Sequence, residues 1–118
     1  MEGTDDLRSL ASSNRTLANP VRLAIMLLLV SRGPMVFSWI QRILNLTPGN
    51  LDSHIRRLRE EGYVETKKEF VECSPRTVVM PTPKGVEETL RYVSRLRRIL
   101  ERLAGEAVSH AGGAEGEA

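Results

Sequence analysis

Apolar positions in this chain change their spacing from segment to segment, and each spacing predicts an element. Leu7, Leu10 and Leu17 recur at helical intervals and predict an N-terminal helix from Asp5 to about Leu17. Val21 to Val30 is hydrophobic apart from Arg22. Asn19-Pro20 offers a cap and a first-position proline, and Gly33-Pro34 a stop, so the run reads as a buried helix. It is far shorter than the roughly 20 residues that span a bilayer, and no membrane partner is expected. Ser38-Trp39-Ile40-Gln41 matches a capping box, with Ser38 capping and Gln41 reaching back. That predicts a short helix from Trp39 to about Asn45. Ile40, Ile43 and Leu44 would turn to a core, with Trp39 as an anchor at the core or its edge.

Only Leu46 separates this helix from Thr47, which can cap another. Pro48 suits its first position and Gly62 can end it. Leu51, Ile55 and Leu58 recur at i, i+4 and i+7, one apolar seam facing a core. The opposite face carries Gly49, Asn50, Ser53, Arg56 and Arg57. Small groups, hydrogen bonders and guanidinium groups are the chemistry that reads base edges and phosphates in a DNA major groove. Two short helices so tightly joined, over 38–61, form a helix-turn-helix whose second member, 47–61, is the recognition helix. Next come Tyr63 to Val71 and Thr77 to Met80, rich in β-branched and aromatic residues around a break at Glu72-Cys73-Ser74-Pro75-Arg76. That pattern predicts a hairpin, a wing over 63–82. The expected fold is mainly α with a small β-hairpin wing (α+β): a winged helix-turn-helix with a long C-terminal helix.

Thr82-Pro83 reads as cap and first-position proline for that last helix, which can run from 83 to about His110. Val86, Val93, Leu100 and Ala107 are spaced by sevens, as are Thr89, Leu96 and Leu103. The seam suggests a short coiled-coil pairing with a second copy of the chain. Leu90 and Ile99 widen it, so part can pack on the chain's own body, and Leu7 and Leu10 of the first helix can join the interface. Paired subunits would set two recognition helices one duplex turn apart, roughly 34–36 Å, to read a palindrome. Arg91, Arg95, Arg98 and Arg102 form a separate stripe, read as a solvated face paired with Glu87, Glu88 and Glu101 or, alternatively, as a contact for phosphate or an acidic partner.

Length and composition fit one soluble domain: 118 residues, 41% hydrophobic and 27% charged. A net charge of +2 says little by itself, but residues 105–118 carry −3. The glycine-rich acidic stretch 111–118 has too little apolar matter to order itself, so 1–104 is read as the domain and 111–118 as a disordered tail. One cysteine excludes an internal disulfide and fits a reducing compartment, and the acidic start, with Glu2, Asp5 and Asp6, is unlike a secretory signal, so a cytoplasmic location is expected. Cys73, His54 and His110 lack the spacing of a zinc site, so no metal and no cofactor is expected. No nucleophile is set beside a base, and the chain is not read as an enzyme. The sequence carries no signature of a small-molecule effector.

The order of these pieces resembles the MarR/ArsR-like winged-helix transcriptional regulators, and most closely a small archaeal winged-helix DNA-binding family. The resemblance rests on Leu17-Ala18-Asn19-Pro20-Val21-Arg22-Leu23-Ala24-Ile25, Leu46-Thr47-Pro48-Gly49-Asn50-Leu51, His54-Ile55-Arg56-Arg57-Leu58, Glu61-Gly62-Tyr63-Val64, Lys68-Glu69-Phe70 and Pro75-Arg76-Thr77. It implies a cytoplasmic, homodimeric transcription factor. The chain departs from the family's pattern at Glu72-Cys73-Ser74, where glycine and basic residues are usual, at Asp52, where a serine is usual, and at Pro81, where a leucine is common.

These readings converge on a double-stranded DNA-binding transcription regulator acting as a homodimer. Asn50, Ser53 and Arg57 would face base edges, and Arg57 could alternatively hold a phosphate. Thr47, Gly49 and His54 would touch the backbone, His54 being otherwise a packing residue at the seam's edge. The amides around Pro48, Gly49 and Asn50 suit a phosphate, and Ser38 and Arg56 complete the contact set. Arg76 with Lys67 or Lys68 would reach phosphates flanking the site. The dimer contacts would come from Leu7, Leu10, Val86, Leu90, Val93, Leu96, Leu100 and Leu103. The alternative is a winged helix that docks on a protein of the transcription machinery.

Overall fold

The apolar run beginning at Val21 becomes the central helix α2 (Pro20–Arg32), and the core gathers on it. The computed structural model of the chain describes the backbone of residues 2–117 and the side chains of residues 5–107. Asn19 caps α2: its Oδ1 accepts from the amides of Val21 at 2.9 Å and Arg22 at 3.1 Å. Ile25, Met26 and Leu29 are buried against Leu17, Ile40, Leu51 and Leu58. The preceding helix α1 (Glu2–Ser13) stops short of the expected end at Leu17. Asn14 is the reason. Its Oδ1 accepts from the Leu17 amide at 2.9 Å and turns the chain, while its Nδ2 donates to the Tyr63 hydroxyl at 2.8 Å.

Three strands stand where the sequence predicts two. The added strand is β1 (Met35–Val36), which pairs antiparallel with β3 (Ser74–Pro81), Met35 opposite Val79 and Val36 opposite Val78. β3 also pairs antiparallel with β2 (Val64–Val71), so the sheet order is β1-β3-β2. Helix α3 (Phe37–Leu44) follows β1 without a break. Its cap position is Val36, which makes no side-chain cap bond, and Ser38 lies inside the helix. The capping box at Ser38 is thus corrected: strand pairing of Val36 decides where the helix begins. Trp39 and Ile43 also differ from expectation, being 53% and 42% exposed, while Ile40 anchors α3 in the core at 0% and Phe37 and Leu44, partly buried, pack beside it. The helix closes on Asn45 in the left-handed region, φ 53°.

Helix α4 (Pro48–Glu60) forms as its sequence signals dictate. Thr47 Oγ1 accepts from the Asn50 amide at 3.2 Å, Pro48 takes the first turn, and Gly62 follows at φ 78°. The wing differs at its tip. Val71 pairs with Ser74, so the turn is only Glu72-Cys73, and Ser74, Pro75 and Arg76 belong to β3 rather than to a five-residue break. Both turn residues have positive φ, 53° and 66°. Pro75 is tolerated in the middle strand because β1 reaches only Val78 and Val79 on that side.

The last helix, α5 (Pro83–Glu117), continues past the expected end near His110 and through most of the stretch read as a disordered tail. The side chains of 108–118, His110 included, lie outside the described residues. Its start is fastened to the end of α4. The Thr82 hydroxyl donates to the Gly62 carbonyl at 2.6 Å and accepts from the Gly85 amide at 2.9 Å, and the Thr82 amide donates to the Tyr63 carbonyl at 2.9 Å. Gly85 sits so close to Tyr63 that a Cβ there would lie 2.1 Å from the carbonyl oxygen. The heptad seam is divided between two surroundings. Thr89 is fully buried in the body, and Ile99 nearly so. Val86, Val93 and Leu96, with Leu10 of α1, are half-buried, and Leu7, Leu90, Leu100 and Leu103 are exposed.

Candidate nucleic-acid interface

A helix can read a groove only if its polar face is free, and the apolar seam of α4 settles that question. Leu51 and Leu58 are 0% exposed and Ile55 4%. Burial of that seam on α2 and the sheet turns Gly49, Asn50, Ser53, Arg56 and Arg57 outward, and all five are exposed. Thr47 and Pro48 are exposed at the same helix start. Of the amides expected to bind a phosphate there, proline has none and that of Asn50 is taken by Thr47, leaving that of Gly49.

The guanidinium groups on this face are already paired with neighbours. Arg56 Nη2 donates to Asp52 Oδ2 at 2.7 Å, and Arg57 lies 3.5 Å from Glu61 and 3.9 Å from Glu60. Exposed pairs of this kind contribute about 0–1 kcal/mol, so a phosphate can displace the carboxylates at little energetic cost. The pairs hold the side chains over the outer face.

Between α4 and the wing runs an open cleft of about 470 Å³, floored by Phe37 and Ile55. Arg56 and Arg59 approach it from the helix, Lys67 and Lys68 from β2, and Asp52 is the one carboxylate on its wall. Lys67 lies 2.9 Å from Glu69, while Lys68 makes no ion pair among the described residues. Arg76 is exposed opposite Glu69 on the wing. Ser38 is exposed near the start of α3.

His54 occupies a different setting from the outward residues. It is half-buried on the α2 side of α4, where Arg22 Nη1 lies 3.4 Å from its Nδ1. Arg22 is itself held by the Thr16 carbonyl, Nε to oxygen 2.8 Å. Burial first, and the Arg22 charge second, lower the His54 imidazole below its ordinary value. Burial, then the nearby Arg57, lowers Arg22 in turn. The sequence reading missed Arg22 and Arg59. Arg59 was within reach, three residues after Arg56 on one helix edge. Arg22 was not, because nothing local says which helix crosses α4 at His54.

Among the described residues no helix is long and apolar enough to cross a membrane. None of the described His, Cys, Asp and Glu residues form a group of three or more that could hold a metal ion.

A helix-turn-helix with a free polar reading face and a hairpin beside it defines a winged-helix DNA-binding domain. The chain belongs to the winged helix DNA-binding domain family, whose profile matches residues 21–100. It is 32% identical over 83 residues, 70% of this chain and 90% of the other, to an uncharacterized protein of Methanocaldococcus jannaschii. It is 46% identical to a transcriptional regulator homologue from Pyrococcus horikoshii of known structure, with a TM-score of 0.79 over 84% of this chain and 97% of that one. At 14% identity it shares its fold with an organohalide-sensing transcriptional regulator solved in a 2,4-dichlorophenol-bound form, TM-score 0.68 over 95% of this chain and 68% of that one. The family resemblance read from the sequence is borne out.

Proposed function

We propose that this protein is a sequence-specific, double-stranded DNA-binding transcriptional regulator that acts in the cytoplasm as a homodimer and catalyses no reaction. The observation that carries the reading is the segregation on α4: the apolar seam is consumed by the core while Gly49, Asn50, Ser53, Arg56 and Arg57 remain exposed. Asn50, Ser53 and Arg57 face base edges in the major groove, with Thr47, Gly49 and Ser38 at the backbone. Lys67, Lys68 and Arg76 bring the wing onto flanking phosphates. His54 steadies Arg22 beside this face rather than standing on it.

Homodimerisation is supported by α5. From Leu100 to Ala107 every residue is exposed, and the radius of gyration is 18.6 Å. A compact domain of this length would have about 13.5 Å. Leu90, Leu100 and Leu103 on the projecting helix and Leu7 on α1 are the residues a second copy would cover.

Fluorescence anisotropy over a range of salt concentrations tests the reading, using duplexes recovered from a random-sequence pool by the protein itself. DNA recognition gives saturable binding with a log–log salt slope of several units per dimer. No saturable binding at low salt would reject it and favour docking on a protein instead.

A further inference from the structure

The wing carries an apolar group that neither the core nor phosphate contact accounts for. Phe70 is 76% exposed, the most exposed large hydrophobic residue among the described ones. Side chains alternate along a strand, so Phe70 shares a face with Thr66 and Lys68, both of which line the cleft beside α4. Its cross-strand partner on that face is Pro75, which is also exposed, and the next pair inward is Lys68 with Thr77. The face that begins as a cationic cleft wall thus ends in a ring and a proline.

We propose that Phe70, backed by Pro75, is a wedge that enters the DNA minor groove flanking each half-site and partly unstacks a base step. The inference rests on the DNA-binding reading above and names how the wing takes part in it. Three observations support it. First, the reach fits: Phe70 lies six residues beyond Val64, which is 2% exposed in the core. Six residues of strand span about 20 Å, against the ~17 Å of half a duplex turn that separates a major groove from the next minor groove. Second, the ring continues a surface whose cations, Lys68 and Arg56 among them, suit a polyanion. Third, the patch is small. A stable protein interface needs about 800 Å² from each partner, more than one exposed ring and a proline offer. A single Phe or Pro is what minor-groove wedges use. The tip turn itself, Glu72-Cys73, bears a carboxylate and no cation, so the wing's grip has to come from the strand faces.

The test uses the full chain, its selected duplexes and the variants F70A and F70L. 2-Aminopurine is placed at successive steps across the flanks to report unstacking, and anisotropy reports affinity. Wild-type protein should raise 2-aminopurine fluorescence at one step on each flank. F70A should abolish that signal and weaken binding about tenfold, while F70L, which keeps an apolar wedge, retains most of both. The thermal midpoint of F70A should match wild type because the ring is outside the core. Unchanged affinity in F70A with no step brightened by wild type overturns the wedge, leaves the α4 reading intact and assigns the ring to a protein partner. Failure of the wild type to select or saturate any duplex overturns the DNA reading itself, and the wedge with it.

Discussion

Arg22 of α2 and His54 of α4 meet across the helix crossing, Nη1 to Nδ1 at 3.4 Å. A guanidinium only donates, so Nδ1 must accept and the imidazole carries its proton on Nε2. The contact favours the neutral ring, as does burial.

Stability should fall in mild acid through this pair. The folded value for His54 lies below the ordinary 6.5, so as pH drops the unfolded chain takes up the proton first. The contribution is complete above 6.5 and is lost as pH falls from there through the folded value. Urea unfolding from about pH 8 to about pH 5 should show a steeper decline for wild type than for His54→Gln. Parallel profiles would remove His54 from the account.

Gly85→Ala should destabilise the fold by about 3 kcal/mol or more, as overpacking against rigid backbone does. The added Cβ would lie 2.1 Å from the Tyr63 carbonyl oxygen. Helix propensity argues the other way by about 1 kcal/mol and is outweighed. Denaturant unfolding reads the sign directly.

Cys73→Gly should stabilise the wing by about 1 kcal/mol, since only glycine adopts positive φ without steric cost. Cys73 holds φ 66° in a two-residue turn. Slower amide exchange at the hairpin end is the expected observation; faster exchange would refute the strain.

Two substitutions on α4 should move DNA affinity in opposite directions. Arg57→Ala should weaken binding by ~1–3 kcal/mol if Arg57 reads a base. Asp52→Ser frees Arg56 from its 2.7 Å partner and removes a carboxylate from the cleft wall, so binding should tighten severalfold at low salt. Neither change should alter folding stability by more than about 1 kcal/mol, because the pairs are exposed.

Leu100→Glu should shift the protein toward monomer in sedimentation experiments. The side chain is 55% exposed in the single chain, so the fold tolerates the charge. Burying it unpaired between two copies would cost about 3 kcal/mol or more. An unchanged sedimentation coefficient would place the interface elsewhere.

The recognition helix was legible in the sequence because several local signals agreed there: the Thr47 cap, Pro48, the Leu51–Ile55–Leu58 spacing and Gly62. Where a local signal competed with a distant contact, the distant contact won. Ser38 and Gln41 have capping-box chemistry, yet Val36 pairs with Val78 from the far side of the wing and the helix starts from that strand. β1 itself is two residues long and exists only through β3, so no spacing could announce it. At the wing tip, the proline-containing stretch Glu72-Cys73-Ser74-Pro75-Arg76 reads as a loop, and the chain instead pairs Val71 with Ser74 and turns on Glu72 and Cys73 in the left-handed region. The polar face of the site was readable by periodicity. The Arg22 contact was not, since it depends on how two helices cross.

Thr82 bridges the end of α4 to the start of α5, and Gly85 lets the two backbones touch at Tyr63. The wing loops out between these two points, so the end of the groove-facing helix and the start of the long one are tied directly to each other at Gly62, Tyr63 and Thr82. In a pair of subunits joined through the long helices, the span between the two copies of α4 would then follow from how those helices cross, transmitted through this tie.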